Sequence, residues 1–165
     1  MSPSQPLVDP DTFKRQLGLE IERARRYRHS LGLAIVRLDQ VDRFLEQDGK
    51  ESQACLAQVT ETIRNNTRSS DLAARREHNA VIVLFPETDL EAARKACEKL
   101  RGEVLKLKPP RADVQLTLSC GVTAFPEFGE TPEALVTSAE DCFRKAHAMG
   151  GNIVVTAQAS GHASI

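Results

Sequence analysis

The chain is 165 residues long, with 22 Lys and Arg against 23 Asp and Glu and a formal net charge of -1. That length suits one domain able to bury its own core, and 41% hydrophobic with 27% charged residues excludes wholesale disorder and a fibrous repeat. Near-neutrality excludes a polycation that coats DNA or RNA, and no apolar run approaches the roughly 20 residues of a membrane-spanning helix.

The opening residues, MSPSQPLVD, lack the basic-then-apolar order of a secretion signal, and their Pro and Ser content predicts a flexible lead-in over 1–9. From Pro10 the pattern turns helical, with Phe13, Leu17, Ile21 and Ala24 on one face and Pro10 in the first turn. Arg23, Arg25, Arg26 and Arg28 on this helix read as a solvated outer face. Next, LGLAIVRL (Leu31–Leu38) is apolar on both alternating faces, as a central strand is. A helical pattern over 39–67, broken near Asp48-Gly49, puts Cys55 or Leu56, Val59 and Ile63 inside. Two short strands, 71–76 and 80–85, are separated by Glu77-His78-Asn79, the spacing of a hairpin.

Pro86 stops the hairpin, and Thr88 is the expected N-cap of a helix carrying Leu90, Ala93, Cys97, Leu100, Val104 and Leu107 inward. A strand over 114–125 follows. Thr131 and Pro132 are placed as cap and first residue of a last helix with Leu135, Ala139, Cys142, Ala146 and Met149 inward. Gly150-Gly151 ends it, a strand over 153–155 closes the domain, and 158–165 reads as a flexible tail. The expected architecture is therefore α/β, a mixed sheet of about five strands flanked by helices, in the order α-β-α-β-β-α-β-α-β over 10–157.

The four cysteines, Cys55, Cys97, Cys120 and Cys142, stand singly on predicted core faces. They read as small buried thiols in a reducing cytoplasm rather than disulfide or metal partners. With no Trp and Tyr27 as the one tyrosine, few aromatic platforms exist for stacking single-stranded bases. The partner expectations are thus no DNA or RNA and no membrane insertion.

Three stretches carry a resemblance. RSSDLAARREHNAVIVLFPETDLEAARKACEKLR resembles the middle of a GGDEF domain, the diguanylate cyclase module. LTLSCGVTAFPEFGETPEALVTSAEDCFRKAHAMGGNIVV resembles its C-terminal half, and LEIERARRYRHSLGLAIVRLDQVDRF its first helix and strand. The resemblance spans 11–156, although the LTGLPNRR-type turn usual before the first helix is missing.

The resemblance implies a nucleotidyl-cyclase-like fold that condenses two GTP into cyclic di-GMP with divalent metals, which need facing carboxylates. This chain departs from that pattern. Arg37 stands at the first metal position, and the signature aligns with Glu77-His78-Asn79-Ala80-Val81, so the acidic pair becomes Asn79 and Ala80 and both glycines are gone. Leu45 stands at the guanine-reading Asn, Asp42 at a lysine, and His147 and Gly151 at phosphate-facing basic positions. Asp39 matches the second Asp of the DxD pair and, with Glu77, reads as ordinary: a cap on the next helix and a solvated side chain. His78 and His147 are lone histidines without metal spacing. A fixed cation at Arg37 would balance the old pocket or hold a phosphate without metal.

What remains is Arg68-Ser69-Ser70-Asp71, in register with the family's RxxD inhibitory motif, which binds cyclic di-GMP; Lys99 aligns with its assisting basic residue. An arginine fork donates to guanine O6 and N7, a carboxylate accepts from N1–H and the 2-amino group, and a lysine answers phosphate. The expectation is a catalytically inactive, cytoplasmic signalling domain that receives this second messenger at Arg68, Asp71 and Lys99, with no cofactor and no metal. A protein partner and a homodimer formed on ligand binding go with that expectation. The alternative is a scaffold that binds protein and no nucleotide; a residual cyclase or GTPase ranks last.

Overall fold

The computed structural model of the protein describes residues 7–40, 49–108 and 115–158. The elements are α1 (Pro10–Tyr27), β1 (Leu31–Leu38), α2 (Gly49–Asn65), β2 (Leu72–Arg75), a tight turn (Glu77–Asn79), β3 (Val81–Pro86), α3 (Leu90–Leu105), β4 (Leu118–Phe125), α4 (Pro132–Ala148) and β5 (Val154–Thr156). This is the expected order. The five strands form one sheet in the order β2-β3-β1-β4-β5, antiparallel throughout except for the parallel β4–β5 pair.

β1 is central because both its faces are apolar. Leu31, Leu33 and Ile35 join a cluster with Phe13, Leu17 and Ile21 of α1 and Leu135 and Ala139 of α4. Ala34, Val36 and Leu38 point the other way, into Val59 and Ile63 of α2 and Cys97, Leu100 and Val104 of α3. The strand period of two thus sends alternate residues of one segment into two cores. All four cysteines are buried and free; burial pushes the Cys120 thiol up, helped by the Cys97 thiol beside it, and burial raises Cys142 as well.

Several boundaries differ from expectation, each for a local reason. Residues 7–9, expected in the lead-in, belong to the fold: Val8 N donates to Ala73 O at 2.9 Å, lining the β2 edge, and Asp9 caps α1 by accepting from Thr12 N at 3.3 Å. The helix expected over 39–67 is seen from Gly49 to Asn65; Asp39 and Gln40 form a turn, and residues 41–48, with Asp42 and Leu45, lie outside the described residues. β4 begins at Leu118, because Thr117 N donates to the Gln40 side chain at 3.0 Å instead of to a neighbouring strand. Met149, expected inward, is 64% exposed, since α4 ends at Ala148 and Gly150 turns away with φ at +106°. Asp89 rather than Thr88 caps α3, accepting from Ala92 N at 2.8 Å.

Among the described residues, no helix is long and apolar enough to cross a membrane. α4 lies directly on β4 at Gly121, where an added Cβ would come within 2.2 Å of Phe143 N and 2.5 Å of Ala139 O. Gly121→Ala should therefore cost at least about 2–3 kcal/mol in denaturant unfolding, because backbone cannot step aside as a flexible side chain does. Gly18 in α1 has nothing within 4 Å of the same position, so Gly18→Ala should raise stability by up to about 1 kcal/mol.

Candidate ligand site at the start of the central strand

Asp71 sits just before β2, and its side chain is 3% exposed. A carboxylate so placed needs donors, and Arg68 supplies them. Arg68 N donates to Oδ2 at 2.7 Å, Nε to both oxygens at 3.3 and 3.4 Å, and Nη2 to Oδ1 at 3.0 Å. Nη2 also donates to Pro86 O at 3.2 Å and Thr88 Oγ1 at 2.8 Å. Thr88 in turn donates to Pro86 O at 2.8 Å. This is why it does not cap α3: its oxygen already accepts from an arginine 20 residues earlier in the chain. The guanidinium, 58% exposed as a side chain, is held by its inner edge, while Nη1 makes no hydrogen bond among the described residues.

The three residues expected at a ligand site come together here. Arg68, Asp71 and Lys99 line one hollow of about 530 Å³ with Asn66, Thr88 and Lys95. Sequence reasoning missed Thr88 and Lys95; the signal for Lys95 was its i, i+4 spacing from Lys99 on one helix face. Glu87 and Asp89 also line the hollow, but each is engaged: Glu87 Oε1 lies 3.5 Å from His29 Nδ1, and Asp89 caps α3. Lys95 and Lys99 make no ion pair among the described residues, so the uncommitted charge of the hollow is positive. Asp71 is used differently from expectation, because both its oxygens accept from Arg68 rather than facing the hollow.

The hairpin lies elsewhere, toward the far end of β1. His78 and Asn79 take φ of +59° and +62°, and Ala80 N donates to Glu77 O at 3.3 Å, the geometry of a type I′ turn. Asn tolerates this region; His does so at a cost of about 1 kcal/mol. The hairpin is tied to α4 by Arg76 Nη2 on Glu140 Oε2 at 3.0 Å. Ala80 and Val81 are buried, Ala80 within the α1–α4 cluster, so a carboxylate at position 80 would have to enter an apolar core.

At the end of β1, Arg37 lays its guanidinium 5.3 Å over the Phe143 ring, with Nε enclosed and without a partner among the described residues. Asp39, expected as a cap on the next helix, is half-buried, and the residues directly after Gln40 that would test the cap lie outside the described residues. It accepts from Thr117 Oγ1 at 2.6 Å, from Ser119 Oγ and from Asn152 N at 2.8 Å, fastening β1 to β4 and the α4–β5 connection. A cation, a neutral amide and a methyl at positions 37, 79 and 80 do not fit a divalent metal, and no group of three His, Cys, Asp or Glu converges as ligands among the described residues.

The profile of the family described as "Diguanylate cyclase, GGDEF domain" matches residues 7–153. The response regulator PleD of Caulobacter vibrioides is 33% identical over 97 residues, 56% of this chain and 21% of that protein. The diguanylate cyclase DgcP of Pseudomonas aeruginosa is 32% identical over 141 residues, 80% of this chain and 20% of that protein. The chain spans about a fifth of the length of these relatives. The GGDEF domain of DgcB from Caulobacter crescentus, solved in complex with c-di-GMP, superposes with a TM-score of 0.86 at 18% identity, covering 96% of each chain, and shares the fold.

Gly151 packs on the Asp39 clasp with φ at +81°, and an added Cβ would lie 2.7 Å from the Asp39 carboxyl carbon. Gly151→Ala should cost about 1–3 kcal/mol. Asp39→Ala, which frees three donors, should cost about 2–3 kcal/mol. The double variant should lose less than the sum, since removing the carboxylate removes the clash; strict additivity in denaturant unfolding would contradict the clasp.

Proposed function

This chain belongs to the GGDEF, or diguanylate cyclase, domain family, and from that premise we propose that it receives cyclic di-GMP without making it. The observation that carries the reading is the convergence of Arg68 and Asp71, from the turn before β2, and Lys99, from α3, on one hollow. Asp71 and Thr88 hold the inner edge of the Arg68 guanidinium, and Nη1 is left to donate to guanine O6 or N7. Asp71 acts through Arg68 by fixing its direction, so little arginine entropy is lost on binding. Lys95 and Lys99, both exposed and one helical turn apart, supply charge for the phosphodiester groups.

The absence of synthesis rests on the other end of β1. Cyclisation of GTP requires carboxylates that hold hard cations between the attacking hydroxyl and the triphosphate. Arg37, Asn79 and Ala80 stand where the family resemblance puts those carboxylates, and Ala80 is packed in the core.

Titration calorimetry with cyclic di-GMP should give a dissociation constant on the order of micromolar or tighter. Arg68→Ala should abolish the heat, and Lys99→Ala should weaken binding by about tenfold. GTP with Mg²⁺ or Mn²⁺ should yield no cyclic product. No heat at high ligand concentration would overturn the receptor reading in favour of a nucleotide-free scaffold, and turnover of GTP would overturn the loss of synthesis.

A further inference from the structure

A hollow of about 320 Å³ opens between the first turns of α1, the stem of the hairpin and the start of α4. Phe13 and Leu17 of α1, Ala74 and Ile82 of the hairpin strands and Val136 of α4 form its walls, and all five belong to the α1–α4 core or pack against it. Ala74 leaves the room. It is the register partner of Ile82, so a lone methyl stands beside a branched side chain on one face of the sheet. Pro10 and Pro132, the first residues of the two helices, bring apolar rings and no N–H to the lining. Water in such a hollow meets few partners and is released when an apolar group replaces it.

Charged residues line the mouth, and their partners decide which of them are free. Arg76 is answered by Glu140 at 3.0 Å. Asp11 and Glu133 stand in the first turns of α1 and α4, where the positive end of each helix holds a carboxylate. Lys14 and Arg75 are exposed, and among the described residues their side chains make no hydrogen bond and no ion pair. The uncommitted charge is therefore positive, at the edge of an apolar wall.

We propose that this hollow is a binding site for a small amphipathic carboxylate, an acyl or aromatic acid. Its apolar body lies against Phe13, Leu17, Ile82 and Val136, and its carboxylate meets the ammonium of Lys14 and the guanidinium of Arg75. The volume is at the lower end of the roughly 300–1,000 Å³ of small-ligand pockets, room for one short chain or one ring and not for a partner's helix. No residue that lines it also lines the hollow at Arg68, so the inference stands apart from guanine recognition.

The test uses octanoate as the probe and octanol as its uncharged counterpart, read in methyl and amide NMR spectra of the full chain. Octanoate should shift the methyl signals of Leu17, Ile82 and Val136 in a saturable way, with the amides of Arg68, Thr88 and Lys99 unmoved. Val136→Trp, which fills the hollow from a half-buried position, should abolish that response and keep the dispersed amide spectrum of the fold. Lys14→Glu, at an exposed position, should weaken octanoate binding by about tenfold and leave octanol unchanged. No saturable shift in the wild-type chain, a response kept in Val136→Trp, or octanol bound as tightly as octanoate would each overturn the site. The same methyl shifts appearing on concentration alone, with a dimer in sedimentation, would give the hollow to a second copy and overturn it as well. If the tryptophan variant fails to fold, the wild-type shifts and Lys14→Glu decide the matter.

Discussion

A carboxylate that has left water must be answered, and at Asp71 that requirement organises one end of the molecule. With its side chain 3% exposed, Asp71 draws four donor contacts from Arg68, and those contacts in turn aim the guanidinium at Thr88 and the carbonyl of Pro86. The turn before β2, the end of β3 and the start of α3 are thereby joined through one arginine. The arrangement is rigid on its inner side and open on its outer side, which is what a recognition arginine needs. Under the proposed function, stability and recognition share the same atoms, so a change at Asp71 would act on both.

The opposite end of β1 obeys the same rule with a different outcome. Asp39 is buried enough to need donors and finds three, so it acts as a clasp. Arg37 is half-buried and, among the described residues, meets the face of Phe143 and no acceptor. Charge at this end of β1 is folded inward at Asp39 and rests on a ring face at Arg37. The near balance of 22 basic and 23 acidic residues conceals this local arrangement.

The fold was legible because burial imposes periodicity. Phe13, Leu17, Ile21 and Ala24 are all buried on α1, and β1 alternates between two cores as its doubly apolar pattern predicts. Arg68 and Asp71 were legible as a pair because they lie three residues apart. Thr88 was not, since two adjacent residues, Thr88 and Asp89, both offer a capping oxygen and the choice between them is made by Arg68 from 20 residues away. The partners of Asp39 are hidden from the sequence for the same reason: its donors come from positions 117, 119 and 152, which only the sheet register and the α4–β5 connection bring to it. Local chemistry reads from sequence; a polar group whose partner is distant does not.

If guanine is read at Arg68, the hairpin end of the sheet stays silent when the ligand binds. The most direct measurement is an NMR titration of the full chain with cyclic di-GMP, following backbone amides together with arginine and lysine side-chain signals. Shifts should concentrate on Arg68, Thr88, Lys95 and Lys99, with the amides of Glu77, His78 and Asn79 unmoved. Shifts centred on the hairpin, or none at any ligand concentration, would contradict it.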